Sequence, residues 1–588
     1  MTASSPCASS TCRRLAWAAA FAAVWLPPAA GDVPAQVLDA ERERIDVIAR
    51  AAPAAVAIFA GEAGGGSGVL IGSDGYALTN FHVVQPAGVA MKCGLSDGRV
   101  YDAVLVGLDP TGDVALVKLV GRDDFPYATL ADSDLVDVGD FCFAAGNPFL
   151  LATDLRPSIS TGIVSGVHRY QFPAGTILEY ADCLQVDAAI NPGNSGGGLF
   201  DAGGRLIGVN GRASFEKRGR VNVGVGYAIS SNQIRNFLGC LRGGRLVDHA
   251  TLGATVATDE DGRVVVSDIL ESSDAYRRGL RYDDEIVAVA GRPVRTVNAV
   301  KNVLGTLPAG WRVPLVYRRA GRRSEMLVRL EALHRPTELA RLVAAGEEPD
   351  SPRPDADKRP AAAAPLPDAV RDLYEARPGF TNHHFNALER DRVAAAIARA
   401  AVGGGAAGVW ELRGRLDGGG EFRILLSDTR GLVDLPTGTT EVDATQELDA
   451  DRSPPGSGGM LAALLLWRRL LVDGPVRLGR TSYWGTQPRD PADLAAGGAV
   501  ELVDVLETAA AAVEARFAVA ADGGVIGVEL WPAPDSDPCE VRLEPRPAGP
   551  PGMPGVISVR HGDTVFGTFT VDEIRFEPAA PEPAGGTS

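Results

Sequence analysis

Cysteine is scarce in this 588-residue chain: seven residues, at positions 7, 12, 93, 142, 183, 240 and 539. No Cys-x-x-Cys pair and no Cys/His spacing of the kind that holds zinc occurs, so neither a metal site nor a dense disulfide framework is expected. Set aside Cys7 and Cys12 with the N-terminal segment and five remain, an odd number; three lie in apolar runs, where cysteine serves as a small hydrophobe. Basic charge is also in deficit, 57 Lys and Arg against 74 Asp and Glu, net −17. That excludes nucleic acid as a partner, because phosphate binding relies on clustered cations. The densest basic stretch, 312–329, alternates around Ala320-Gly321 like the tip of a hairpin. Beyond residue 31 no apolar run reaches the eighteen or so residues of a membrane span. The run that does stand out, Leu15–Leu26, is too short to span. Arg13-Arg14 precede it and Ala29-Ala30-Gly31 follow, so residues 1–31 read as an export signal and the expected location is the periplasm.

What the chain has in abundance is glycine, 70 residues against 6% aromatics, which suits many turns and short strands. Its length calls for three or four domains. The most informative stretch is Asp187-Ala-Ala-Ile-Asn-Pro-Gly-Asn-Ser-Gly-Gly-Gly-Leu199, between the strand-like runs 177–186 and 205–210. Glycines on both sides of Ser195 let the backbone turn sharply, so that successive N–H groups can face one pocket. A hydroxyl beside such a pocket suits acyl transfer, in which charge develops on the carbonyl oxygen. Alone, the motif is equally a Gly-rich turn with an incidental serine. Two upstream features decide between these readings. A strand, a turn at Ser73-Asp74-Gly75 and a second strand deliver His82, and Asp113 stands at the mouth of the apolar run 114–117. Serine needs a base, and the base needs a carboxylate to fix its tautomer. The order His, Asp, Ser is that of trypsin-like enzymes.

These residues resemble the HtrA (Deg) family of trypsin-like serine proteases. The resemblance lies in Gly66-Ser-Gly-Val69, Gly75-Tyr-Ala-Leu-Thr-Asn-Phe-His-Val-Val84, Gly146-Asn-Pro-Phe149, Ser160-Thr-Gly-Ile-Val-Ser-Gly166, 187–197 and Leu206-Ile-Gly-Val-Asn210. It covers about residues 50–240, with one departure at Gly198, where the family commonly carries Pro or Ala. It implies two antiparallel barrels with Ser195 as nucleophile, His82 as general base and Asp113 as orienting carboxylate. The oxyanion hole is assigned to the turn Gly193, Asn194 and Ser195. No cofactor is implied. Resemblance further places Ile190, Gly224, Val225 and Gly226 on the primary specificity pocket, a small apolar wall without a carboxylate. The loop 61–66 is much shorter than the activation loop of cage-forming members.

The fold class is therefore mainly β: a signal (1–31), a two-barrel protease domain (32–245), a PDZ domain (246–335), a linker (336–366) and a C-terminal α+β domain with an antiparallel sheet (367–588). Thr251-Leu252-Gly253-Ala254 resembles the carboxylate-binding loop of PDZ domains, and 273–280 and 284–294 resemble the helix and strand that follow. Asp274, Tyr282 and Asp283 depart from that pattern. Residues 32–50 read as a charged amphipathic helix or arm. The linker is richest in Pro, Ala, Asp and Lys over 347–367. Beyond it, strands are expected at 409–416, 421–426, 501–506, 513–519, 525–531, 540–543, 556–560 and 564–576, with helices at 385–401 and 460–471. This pattern faintly resembles the half-open antiparallel barrels of periplasmic lipoprotein carriers. Ser457 is expected near a helix cap, and His383-His384 at a helix flank or on the surface. With few contacts expected across the linker, residues 367–588 read as an independent binding domain. The activity that follows is endoproteolysis of unfolded or misfolded polypeptides, with peptide C-termini held at the PDZ domain and a homotrimer as the assembly. The alternative is a non-hydrolytic chaperone or scaffold acting through the PDZ domain, and an intact Ser-His-Asp set speaks against it.

Overall fold

The computed structural model describes residues 33–60, 65–147, 154–171, 178–215, 222–345, 366–401, 407–443, 456–496, 500–510, 513–533, 536–546 and 552–577. Two units are distinguished, one ending at Arg50 and one beginning at Ala51. The first contains all but the last residue of the helix Ala35–Ala51, where the charged amphipathic pattern placed it. The expected signal segment lies outside the described residues.

The second unit begins with two closed six-stranded barrels. β1 (Ala55–Phe59), β2 (Gly65–Leu70), β3 (Tyr76–Thr79), β4 (Ala90–Leu95), β5 (Val100–Asp109) and β6 (Val114–Leu119) close in the order β1-β2-β3-β6-β5-β4. β7 (Phe141–Gly146), β8 (Ser158–Gln171), β9 (Tyr180–Val186), β10 (Gly198–Asp201), β11 (Leu206–Phe215) and β12 (Asn222–Ser230) close as β10-β11-β12-β9-β8-β7. Closure removes sheet edges, and each barrel fills its interior with its own apolar set. Val56, Ile58, Leu70 and Val117 fill the first; Val164, Leu184, Leu199 and Ile207 fill the second. Burying each such side chain contributes roughly 1.5–3 kcal/mol. The helix Ser231–Arg242 follows, begun by Ser230, whose Oγ accepts from Gln233 N.

The next domain has a two-stranded sheet, β13 (Ala250–Thr251) with β20 (Glu331–Ala332). Its main sheet runs β14 (Ala254–Thr258), β15 (Val264–Ile269), β16 (Glu285–Val289), β18 (Arg312–Arg319), β19 (Arg322–Arg329), with β17 (Arg292–Pro293) beside β16. β14 lies at the edge, where an added strand can pair. The helix Val297–Leu304 packs on β14 and on β8 and β9 of the second barrel. Asp274, one of the departures noted from sequence, is buried: its Oδ2 accepts from Arg329 N at 2.7 Å and its Oδ1 from Arg278 at 3.2 Å.

The C-terminal region is one open antiparallel sheet of eleven strands. β21 (Val409–Leu416), β22 (Glu421–Leu426), β23 (Arg430–Leu435), β24 (Gly438–Asp443), β25 (Arg480–Pro488), β26 (Leu502–Ala510), β27 (Val513–Val519), β28 (Val525–Trp531), β29 (Cys539–Pro545), β30 (Pro554–His561) and β31 (Thr564–Glu577) lie in the order β24-β23-β22-β21-β31-β30-β29-β28-β27-β26-β25. The helix Ser457–Asp473 packs against it and is buried along almost its whole length, as a helix apolar all round must be. Trp467 meets Trp410 edge-on at 5.5 Å in that core.

Ser457 lies next to the helix cap, as expected: it is the first residue of its helix, Gly456, at φ +86°, occupies the cap position, and the Ser457 hydroxyl bonds to Thr440 Oγ1 at 2.9 Å. His383 stands at a helix flank, as expected, and is buried, held by Glu375 Oε2 at 2.9 Å and Arg377 at 2.7 Å. Two expectations are corrected. The stretch expected as linker begins with a helix, Pro336–Ala345; residues 346–365 lie outside the described residues. The second concerns independence. Residues 367–588 dock firmly on the PDZ domain and on the helix Ser231–Arg242. Trp484 and Val505 belong to the PDZ core, and Trp311 Nε1 donates to Thr486 O at 2.8 Å. Arg245 Nε donates to Tyr483 O at 2.9 Å, and Arg278–Asp537 and Arg329–Glu529 pair at 2.8 Å each. The physical reason lies in β25: Tyr483 points into its own domain's core and Trp484 into the PDZ core, so both faces of this strand are buried. A strand buried on both faces has no apolar–polar alternation to read. β25 was absent from the sequence expectation for that reason.

Candidate active site

Three turns converge where the barrels meet. The first follows β3, where Asn80, in extended backbone, begins a short helix, Phe81–Val84, that carries His82. The second is the β5–β6 connection, in which Asp113 adopts φ +57°. An aspartate in the left-handed region is tolerated but strained, and surrounding bonds must hold it there. Its carbonyl accepts from Asn80 Nδ2 at 2.9 Å and from Phe81 N at 3.3 Å. Its carboxylate, fully buried, accepts from His82 N at 3.1 Å and faces His82 Nδ1 at 2.8 and 3.0 Å. The imidazole is partly exposed, with a side-chain accessibility of 36%. A buried carboxylate against one ring nitrogen favours the tautomer that leaves the other nitrogen as an acceptor.

The third turn carries Ser195. Gly193 stands at φ +100° and Gly196 at φ +84°, conformations that L side chains rarely adopt. A Cβ on Gly196 would also lie 2.1 Å from Ser67 O and 2.4 Å from Thr79 Oγ1. Ser67 clamps this turn: its Oγ donates to Gly193 O at 2.6 Å and its N to Ser195 O at 2.8 Å. Asn194 N donates to Asn191 O at 2.9 Å, and Gly196 N donates to Asn210 O at 2.7 Å. Among the described residues the N–H groups of Gly193 and Ser195 have no acceptor. The expected donor set therefore narrows to these two, and Asn194, whose amide is committed within the turn, drops out. In this state Ser195 Oγ donates to Gly211 O at 3.2 Å.

The expected pocket residues lie near one another. Gly226 pairs with Val186, and a Cβ on it would reach Ile190 Cγ1 at 2.6 Å. Ile190 is buried, Val225 half-buried and Gly224 exposed at φ +82°. Gly198, the departure noted above, leaves room filled by the Phe200 ring, 2.6 Å from where its Cβ would be. On the PDZ side Leu252 is buried and Gly253, at φ +66°, lies against Ser273. Gly253 N donates to the Thr251 hydroxyl at 3.1 Å, and Ala254 opens the edge strand β14. Among the described residues no cluster of three His, Cys, Asp or Glu side chains is placed to hold a metal. The five cysteines from Cys93 onward are buried, and burial pushes the Cys93 and Cys142 thiols up to about 12.

Sequence reasoning missed two groups of residues. Ser67 lay within the quoted Gly66-Ser-Gly run and was given no task. Tyr180 and the contact that joins β9 to the PDZ domain were also missed. Asp182, at φ +50°, receives Arg292 at 2.7 and 2.9 Å and His168 Nδ1 at 2.9 Å, and its N–H donates to Asn302 Oδ1 at 2.9 Å. Burial opposes its charge, but the bonds from His168 and Arg292 hold its carboxyl below the usual range. No local motif marks such residues, because their partners are 14 to 120 positions away.

Comparison with known proteins agrees with this layout. Residues 66–209 match a trypsin-like peptidase domain and residues 246–318 a PDZ domain. The periplasmic serine endoprotease DegP of Escherichia coli (strain K12) is 36% identical over 278 residues, 45% of this chain and 56% of its own length. A probable periplasmic serine endoprotease DegP-like of Chlamydia trachomatis serovar D is 34% identical over 284 residues, 46% of this chain and 54% of its own length. Among solved structures, the HtrA-type protease AlgW with tripeptide aligns over 50% of this chain and 98% of its own, at 32% identity and a TM-score of 0.42. This chain thus spans just over half the length of the curated relatives it matches. Over this part the chain carries a trypsin-like peptidase domain followed by a PDZ domain and is similar to these serine endoproteases.

Proposed function

We propose that this chain is an exported serine endopeptidase that cleaves unfolded or damaged polypeptides in the periplasm. The observation that carries the reading is the buried Asp113 carboxylate against His82 Nδ1, in a site whose serine turn keeps two N–H groups without acceptors. In this reading His82 takes the Ser195 proton as the hydroxyl attacks the peptide carbonyl, then gives it to the leaving amine. Asp113 holds the imidazole in register and stabilises its charged form. Gly193 N–H and Ser195 N–H receive the oxyanion. The Ser195 hydroxyl must leave Gly211 O for this step. No metal or cofactor is required. Ile190 and the glycines at 224 and 226 favour Val, Ala or Ile before the scissile bond over Lys or Arg, since none of these residues offers a carboxylate to pair with a cation. The edge strand β14 and the loop 251–254 are suited to hold a peptide C-terminus. Export is supported by Leu15–Leu26 and by the similarity to periplasmic endoproteases.

The test is digestion of a permanently unfolded polypeptide by the purified chain beside Ser195→Ala, with fragment ends mapped. The expected result is cleavage after small aliphatic residues by the parent and a loss of at least about a thousandfold in the variant. Equal fragmentation by both would overturn the assignment. Tight binding without cleavage by either would favour the chaperone reading instead.

A further inference from the structure

We propose that Tyr180 is a positioning residue for the hydrolytic site, holding the Asp113 carboxylate and the Gly211 backbone in register; this rests on the function proposed above. Tyr180 opens β9 and is buried, with its hydroxyl donating to Asp113 Oδ2. Among the described residues the other partner of that carboxylate is His82: its N–H and Nδ1 on Oδ1, and Nδ1 again on Oδ2. With the phenol removed, Oδ2 keeps only the shared imidazole bond in a site closed to water. A buried carboxylate short of donors draws more strongly on the one cation that can form beside it, here the imidazolium of His82.

Tyr180 reaches the nucleophile side as well. A Cβ on Gly211 would sit 2.5 Å from Tyr180 Cε1 and 3.0 Å from its hydroxyl oxygen, so the ring packs against Gly211 because that residue has no side chain. The Gly211 carbonyl is the group that receives the Ser195 hydroxyl. One ring therefore touches the acceptor of the nucleophile and the carboxylate behind the base. Backbone bonding fixes where that ring stands: Glu179 N donates to Thr111 O at 2.8 Å, tying the residue before Tyr180 to the connection that carries Asp113. Two residues along the strand, Asp182 is tied to Arg292 and Asn302 of the PDZ domain, so the start of β9 is held from both ends.

The experiment compares the full chain with Tyr180→Phe, which keeps the ring, and with Gly211→Ala, which keeps the hydroxyl but displaces the ring. With an unfolded-polypeptide substrate, kcat should fall about tenfold to a hundredfold in Tyr180→Phe, the range of one hydrogen bond to a charged group, with KM little changed. The acid limb of its pH–rate profile should move to higher pH, because the less satisfied carboxylate stabilises the charged imidazole. Gly211→Ala should show a comparable fall. A titration of the ¹⁵N-histidine-labelled chain, with the His82 signal identified by its loss in His82→Ala, reads the same upward shift without any turnover. Parent and Tyr180→Phe with the same His82 titration would overturn the inference even if both cleave. A parent that does not cleave but whose His82 titration moves on Tyr180→Phe would overturn the proposed activity and leave the positioning role standing.

Discussion

The turn at Ser195, half-buried, and the strand at Trp484, buried, are held by different forces. At Ser195 the backbone decides. Gly193 and Gly196 hold positive φ, and Ser67 and Thr79 leave no room for a Cβ at Gly196. At Trp484 side chains decide: a tryptophan crosses from the C-terminal sheet into the PDZ core, with Arg516 4.5 Å from its ring centre. A steric demand that one residue type meets is written into sequence as that residue. A packing demand met by any large apolar side chain leaves no such mark. The comparison therefore predicts where substitutions act: at the turn on chemistry, and at the seam on stability.

The sharpest way to break this division is to remove the C-terminal sheet. A chain ending at Arg335 loses Trp484, Val505, Leu494 and Leu502 from the PDZ core, together with the carboxylates facing Arg278, Arg312 and Arg329. Its PDZ domain should unfold at a Tm lower by well over ten degrees, or aggregate, as calorimetry and light scattering would report. An unchanged PDZ transition would restore the independent-domain picture. Next in size, Trp484→Ala should cost about 3–5 kcal/mol in denaturant unfolding, the usual loss for a buried tryptophan, while sparing the Ser195 turn.

Arg312 and Glu540 form a buried pair across the seam, and burial pushes the Glu540 carboxyl up despite Arg312 beside it. Arg312→Ala should destabilise by about 3 kcal/mol because it strands that carboxylate. The double variant Arg312→Met/Glu540→Leu should recover most of the loss. Failure to recover would mean that the pair holds the domains together through geometry that apolar residues cannot replace.

The smallest effect expected is a pH dependence at the β9–PDZ contact. The bond to Asp182 raises the His168 pKa above its ordinary value of 6.5, outweighing burial and the nearby Arg292 charge. A raised histidine contributes stability that is complete below its unfolded value and is lost as pH rises through the folded one. Half of this side chain is exposed, so the contribution should stay below about 1 kcal/mol. His168→Gln should flatten the slope of stability between neutral and mildly alkaline pH. A slope unchanged by the substitution would place the titration elsewhere.

Much of this was legible in the residues. Asp113 faces His82 Nδ1 at 2.8 Å, the pairing that the triad reading called for, and the two closed barrels are the ones that the family resemblance implied. The strands at 409–416, 421–426, 513–519 and 525–531 lie where alternation placed them. β24, Gly438–Asp443, escaped notice because Gly-Thr-Thr-Glu-Val-Asp offers one strongly apolar residue, and β25 because both its faces are covered. Tyr180 escaped because a lone tyrosine at a strand start has no pattern, and its partner Asp113 lies 67 positions away. Asn194 was included in the donor set because a glycine-rich turn reveals which amides exist but not which are already bonded to their neighbours.

The measurement that tests the hydrolytic reading most directly is labelling of the intact chain with a fluorophosphonate, which reacts only with a serine made nucleophilic by its surroundings. Peptide mapping should find a single adduct, on Ser195, lost in His82→Ala and in Asp113→Asn. No adduct on the folded parent, or an adduct on another serine that persists in those variants, would contradict the account.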